Sequence, residues 1–308
     1  MNGYAAAAVT VLIWASYPVA TRAAVTGSFA PQELVTLRFG VGALLFLPYL
    51  LLHLRTIGRD AWLRGVPLAL FQGAGMGALV ICGLKFAPAN HQAALGPGVV
   101  PALVALLGFV IFARRPSARI VTGAVVCAIG ALALICSRAP EQTPAALTGD
   151  VMFLAASVLG ALYALQLRNW GVGAIQAAAM VMVYSGMVVV PWHLCSASAP
   201  LWRVAPLELI WQTLWQGVLI GCVALIALNH AITRLGAERS TALVALVPVL
   251  TAILGFLFLG EVPSTAEIAA ILAISVGVSI GAWRSYGGSP ASSSAPMNRP
   301  ACGLSRPG

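Results

Sequence analysis

Polar side chains are scarce in this 308-residue chain, so each one inside an apolar run needs a reason. Four of them, Thr10, Trp14, Tyr17 and Thr21, recur at i, i+4, i+7 and i+11 and form one helical stripe of hydroxyls and amphipathic rings. Such a stripe either lines a cavity for a small organic molecule or packs against a neighbouring helix. Amides and an imidazole raise the same choice. Gln72 and Gln216 begin matching QGxxxG segments; Tyr163 and Gln166 share a run with Ser157; Gln212, Asn229 and His230 share another. In hydrocarbon these groups must face protein or water, either touching a ligand or joining helices. His230 lies eighteen residues from Gln212, five α-helical turns, and so on the same face.

Helix-breaking residues point the same way. Pro97 and Pro101, with Gly96 and Gly98, remove backbone donors from one run and predict a kink or unwound turn, which serves either a cavity wall or packing. Arg38, in the second turn of its run, is expected to snorkel to the headgroups, with a gating or charge-binding role second. Bond-making chemistry has no visible apparatus. HExxH, GxSxG and paired carboxylates within a span are all missing, so no catalytic residue, cofactor or metal is expected. None of the six cysteines shows zinc-type spacing, and the five in or beside apolar runs, Cys82, Cys127, Cys136, Cys195 and Cys222, read as small hydrophobes.

The elements that must position these residues are membrane helices. Composition is 60% hydrophobic and 8% charged, which excludes an ordinary soluble domain and makes the +9 charge a matter of membrane sidedness rather than nucleic acid. Apolar runs cover about 4–25, 34–54, 63–84, 91–113, 119–137, 151–167, 174–195, 209–233, 240–260 and 266–283, giving ten spans. The first of them lacks the charged start of a cleaved signal. Residues 285–308 are too poor in apolar surface to fold and are expected to be a disordered cytoplasmic tail.

The chain is also duplicated. Shifted by 147 positions, residues 94–116 fall on 241–263, aligning Val100 with Val247, Pro101 with Pro248, Gly108 with Gly255 and Pro116 with Pro263. Smaller shifts align Tyr17 with Tyr163 and Gln72-Gly73 with Gln216-Gly217, the glycines reading as helix-packing faces. Gly160 stands where the first copy has Trp14 and leaves room opposite the indole. Alternate loops divide the cations twelve to four in favour of an inside N-terminus, which places both termini in the cytoplasm. Five spans per copy then predict two inverted five-helix repeats, 3–137 and 148–284, able to exchange conformations about a midplane site.

With those residues in view, HAITRLGAERSTALVALVPVLTAILGFLFLGEVPS (230–264) resembles the second copy of the EamA domain of the drug/metabolite transporter superfamily. IWASYPVATR (13–22) and LRF (37–39) resemble the start of the first. The first copy departs where Gly-Glu would close its fourth span, having Ala113 and Arg114. The resemblance implies a multi-pass transporter of a bacterial inner membrane, by alternating access and in the direction of export, whose cavity is lined by spans one, three, four, six, eight and nine.

On that lining the substrate-binding candidates are Trp14, Tyr17, Gln72, Pro97, Tyr163, Gln166, Gln216 and His230. Glu33, Glu141, Asp150, Glu208, Glu261 and Glu267 are read at outer ends or loops, and Asp60 and Glu238 at the inner side. A carboxylate relay is therefore not expected, and a neutral or zwitterionic metabolite, amino-acid-like or drug-like, fits best. Facilitated flux is the leading expectation. His230 is the alternative coupling group, because imidazole ordinarily titrates near ~6.5. Expected partners are a small-molecule substrate and the bilayer, with a homodimer allowed; the rival reading is a helical scaffold or receptor, and a membrane enzyme ranks below it.

Overall fold

Without water in the hydrocarbon layer, backbone N–H and C=O groups must pair within their own segment, and long apolar runs do so as helices. The computed structural model describes residues 2–113, 115–137, 144–170, 172–196, 201–235 and 243–282, and among them every regular element is helical. The first half comprises α1 (Gly3–Thr26), α2 (Pro31–Leu52), α3 (Arg59–Gln72), α4 (Ala74–Phe86), α5 (Ala89–Leu95), α6 (Val100–Phe112) and α7 (Ala118–Cys136). The second comprises α8 (Pro144–Trp170), α9 (Ala174–Cys195), α10 (Pro206–Gln212), a π-helix (Thr213–Val223), α11 (Ala224–Leu235), α12 (Val247–Leu259) and α13 (Thr265–Ala282). Among the described residues seven helical stretches are long and apolar enough to cross a membrane, with shorter apolar helices at Val247–Leu259 and Thr265–Gly281. The expected tail, Arg138, Glu141, Glu238 and the end of the RLGAERS lead-in lie outside the described residues.

The third span, expected to be continuous, is interrupted, and the fourth breaks where its prolines predict, with its counterpart in the second half breaking at the corresponding place. The third breaks at Gly73, and the QGxxxG that matches it in the second half lies inside the π-helix, which shares only neighbouring backbone bonds and bulges instead of breaking. The fourth breaks across 96–99. Its counterpart resumes at Val247 after a turn at 245–246. Pro101 and Pro248 each occupy the first turn of the resuming helix, where a missing N–H costs nothing. Hydroxyls from neighbouring helices satisfy freed backbone groups. The Ala74 amide donates to Ser185 Oγ at 3.1 Å, and Ser157 Oγ donates to the Leu95 carbonyl at 2.6 Å. The QGxxxG glycines are thus discontinuities as well as packing faces.

Contacts between loops sort them into two ends. At one, Arg22 bonds the Leu84 and Ala87 carbonyls at 2.7 Å each, Arg203 pairs with Glu33 at 2.8 Å, and Glu261 accepts from the Ala89 amide at 3.0 Å. At the other, Arg64 reaches the Trp170 carbonyl, and the start of α1 abuts Arg234 and Leu235. Successive turns thus alternate between the ends. Packing crosses the halves throughout: α2 lies on α9, α4 on α8, α1 on α11 and α12, and α7 on α13. The last pair approaches so closely that a Cβ on Gly123 would sit 2.5 Å from the Gly277 carbonyl.

Candidate functional site

α1 is a hub for polar contacts from four elements, α2, α10, the π-helix and α12. Tyr17 accepts at 2.8 Å from an Arg38 guanidinium nitrogen, and the guanidinium carbon lies 5.1 Å from the Tyr17 ring centre and 5.6 Å from that of Phe39. Arg38 is therefore turned into the bundle rather than snorkelling outward as expected. Hydrogen bonding and two ring faces hold it there. One turn along, Thr21 accepts from the Gln216 amide at 2.9 Å, and Gln212 points its amide at the Ala20 carbonyl. Both glutamines thus tie the second half to α1, as the helix-joining alternative requires. Two buried atoms of this hub, Arg38 Nε and Gln216 Oε1, have no hydrogen-bond partner among the described residues. On α1 itself, Trp14 is half-buried between clusters that include Val11, Ala93 and Val247, and Thr251 donates to the Ala15 carbonyl at 2.9 Å.

Other candidates gather around the helix breaks. A Cβ built on Gly160 would lie 3.6 Å from Met76, 3.8 Å from Val100 and 3.9 Å from Gln72 Oε1. Gly160 thus faces both interruptions of the first half, with Gln72 at one of them and Pro97, half-buried, inside the other. Tyr163 packs on the main core three residues further along α8, and Gln166 is half-buried beyond it. His230 is half-buried on α11. The five-turn count that placed it on the Gln212 face fails, because a π-helix of 11 residues intervenes and holds more residues per turn.

The carboxylates need a larger correction. Asp150 and Glu267 stand at helix ends as expected, in the second turn of α8 and the first turn of α13, but both are buried. They clasp His91 from either side. Nδ1 is 2.9 Å from Asp150 Oδ1 and Nε2 is 3.0 Å from Glu267 Oε1, with side-chain exposures of 0%, 0% and 5%. Glu267 is itself held by a capping box, its second oxygen accepting from the Ser264 amide at 2.6 Å while Ser264 Oγ accepts from the Glu267 amide. Near this cluster, Arg22 pairs with Glu261. Two carboxylates from different helices thus share one buried histidine, an arrangement not expected from the sequence, and that histidine is not His230. Among the described residues no group of His, Cys, Asp or Glu is arranged to hold a metal.

The departure at Ala113 also has a structural meaning. Ala113 and Gly260 close α6 and α12 in the same left-handed conformation, φ +51° and +66°. A Cβ in that region costs roughly 1–2 kcal/mol. Ala113→Gly is expected to stabilise the protein by about 1 kcal/mol, read as a rise in thermal midpoint in detergent, and a fall would show the left-handed turn to be absent.

Two apolar halves with interrupted helices at matching places define a duplicated polytopic membrane protein. The EamA-like transporter family matches residues 1–136 and 147–281, most of the chain. The chain belongs to that family and is a transporter of the drug/metabolite type. Comparison with curated proteins finds no match. A solved structure titled only "Crystal structure of protein" superposes with a TM-score of 0.61 at 20% identity, covering 90% of this chain and 95% of that one. At that identity the likeness concerns the fold.

Proposed function

We propose that the chain is a secondary transporter that exports a small zwitterionic, amino-acid-like metabolite across a bacterial inner membrane by alternating access, with both termini cytoplasmic. Matching discontinuities in the two halves support the exchange of conformations, because interrupted membrane helices can bend without leaving backbone groups exposed to lipid. The observation that carries the choice of substrate is Arg38. It is a cation held inside the bundle by Tyr17 and two ring faces, and no carboxylate among the described residues pairs with it. Its planar fork suits a substrate carboxylate, and a zwitterion brings one without net charge. Trp14, Tyr17, Gln72, Pro97, Tyr163, Gln166 and Gln216 are the proposed lining, with His230 at its far end.

Proteoliposomes loaded with a mixture of common L-amino acids and their decarboxylated amines test this reading, efflux being followed by mass spectrometry. Amino acids are expected to leave faster than the amines. Arg38→Gln is expected to slow them about tenfold, the size of one charge-assisted hydrogen bond of about 1.5 kcal/mol. Equal efflux of acid and amine would remove Arg38 from recognition. Efflux no faster than from empty vesicles would refute the substrate class.

A further inference from the structure

The His91, Asp150 and Glu267 cluster has a proton count that its geometry fixes. A neutral imidazole has one N–H and one lone pair, so it can donate to only one carboxylate and needs a donor at its other nitrogen. Here both nitrogens face carboxyl oxygens, at 2.9 and 3.0 Å. Two hydrogen bonds therefore require one proton more than a neutral imidazole and two carboxylates possess, whether that proton rides on the ring or on a carboxyl. Intact, the cluster carries a net charge of −1.

Its three members stand on three elements at one end of the bundle. His91 is in the first turn of α5, Asp150 on α8 and Glu267 in the first turn of α13, so the cluster joins the first half to two helices of the second. All seven residues of α5 are buried, and the break at 96–99 follows it directly. Among the described residues, few other charged groups stand near the cluster. From α1 comes Arg22, paired with Glu261 beyond α12, whose other oxygen accepts from the Ala89 amide. From α4 comes Lys85, exposed; α7 brings exposed Cys136 to this end. Because the two carboxylates lie on opposite sides of the ring, one metal ion could not reach all three groups.

We propose that His91, Asp150 and Glu267 form a proton-binding latch across the mouth opposite the N-terminus, so that shutting this mouth takes up one proton and opening it releases one. The proposal rests on alternating access, and in the proposed orientation this is the outer mouth. When the mouth opens, α5 parts from α8 and α13 and the three groups meet water. Above the ordinary imidazole value of ~6.5 they then exist as a neutral ring and two carboxylates, one proton short. The shut state binds more protons, so falling pH favours it, by tenfold per pH unit above ~6.5 and levelling off below, where the open state keeps the proton too. Acid outside therefore holds the transporter shut on that side.

Glu267→Gln separates the proton from the structure. Glutamine is isosteric; its carbonyl can still accept from the Ser264 amide while its NH2 donates to the lone pair of a neutral His91, whose other N–H serves Asp150. Both bonds form with no extra proton, at the same net charge. Asp150→Asn does the same from the other side. The test uses the full chain in lipid nanodiscs, native cysteines replaced, with spin labels at Phe86→Cys and Thr265→Cys, both exposed positions at this end. Pulsed electron resonance then reads the shut and open distances between about pH 5 and about pH 9, a range that brackets the imidazole titration. In the otherwise native chain the ratio of shut to open is expected to follow the one-proton slope, and in each variant to be independent of pH. A distance distribution that does not respond to pH in the native triad overturns the latch, as does an unchanged response in the variants. Failure of the transport reading shows separately, as missing efflux with the pH response intact.

Discussion

Replacing Gly73 by alanine is expected to cost about 2–6 kcal/mol of stability and to remove most folded protein from the membrane. The added Cβ would lie 2.1 Å from Ser185 Oγ and 2.2 Å from the Ala69 carbonyl. Neither can simply step aside. The carbonyl holds the Gly73 amide at 2.8 Å and the hydroxyl holds the Ala74 amide at 3.1 Å. Overpacking costs about 1–3 kcal/mol, and orphaning a buried amide adds about 1–3 kcal/mol more. Gly58, around which an added Cβ meets nothing within 4 Å, is the control and should tolerate alanine with little change. Thermal midpoints in one detergent would compare the two, and similar values would mean that the break at Gly73 is wrongly placed.

Loss of Arg22 is the other large effect. Its guanidinium pairs with Glu261 and caps the Leu84 and Ala87 carbonyls, joining α1, the end of α4 and the segment after α12. Arg22→Ala leaves a carboxylate at 18% side-chain exposure without its counter-charge and strands two carbonyls, an expected loss of about 3 kcal/mol. Glu261→Gln alone should cost less, because the amide oxygen still accepts from Ala89. The double variant should cost less than the sum of the two. A thermal-unfolding cycle measures that coupling, and strict additivity would mean that the pair does not interact.

The duplication was legible because whole residues repeat: Pro101 with Pro248 and Gly108 with Gly255 need no structure to be seen. The break at 96–99 was legible too, since two prolines without N–H groups stand there. The break at Gly73 was not. Glycines four apart look alike whether they admit a neighbour or end a helix, and the Ser185 hydroxyl that decides the matter is far along the chain. Arg38 was misread because its side chain is long enough to reach headgroups or Tyr17, and only the rings around it choose. The His91 cluster left no pattern at all. Its members are 59 and 176 positions apart, so no helical period connects them, and each carboxylate alone resembles an ordinary helix-end residue. The π-helix is equally silent, being apolar residues in a different hydrogen-bond register.

That π-helix makes the two halves mechanically unlike. A chain broken at Gly73 swivels about a point, and each rigid piece keeps its own register on either side of the joint. A π-helix has no joint; its surplus residue can travel along the rod, one hydrogen bond exchanged for the next, carrying each side chain around the axis as it passes. One half therefore has the means to bend as a hinge, and the other to yield along its π-helix as a screw. Under the proposed alternating access, strokes toward the two faces of the membrane would meet different resistance even with no substrate aboard, and forward and return rates should differ in their temperature dependence.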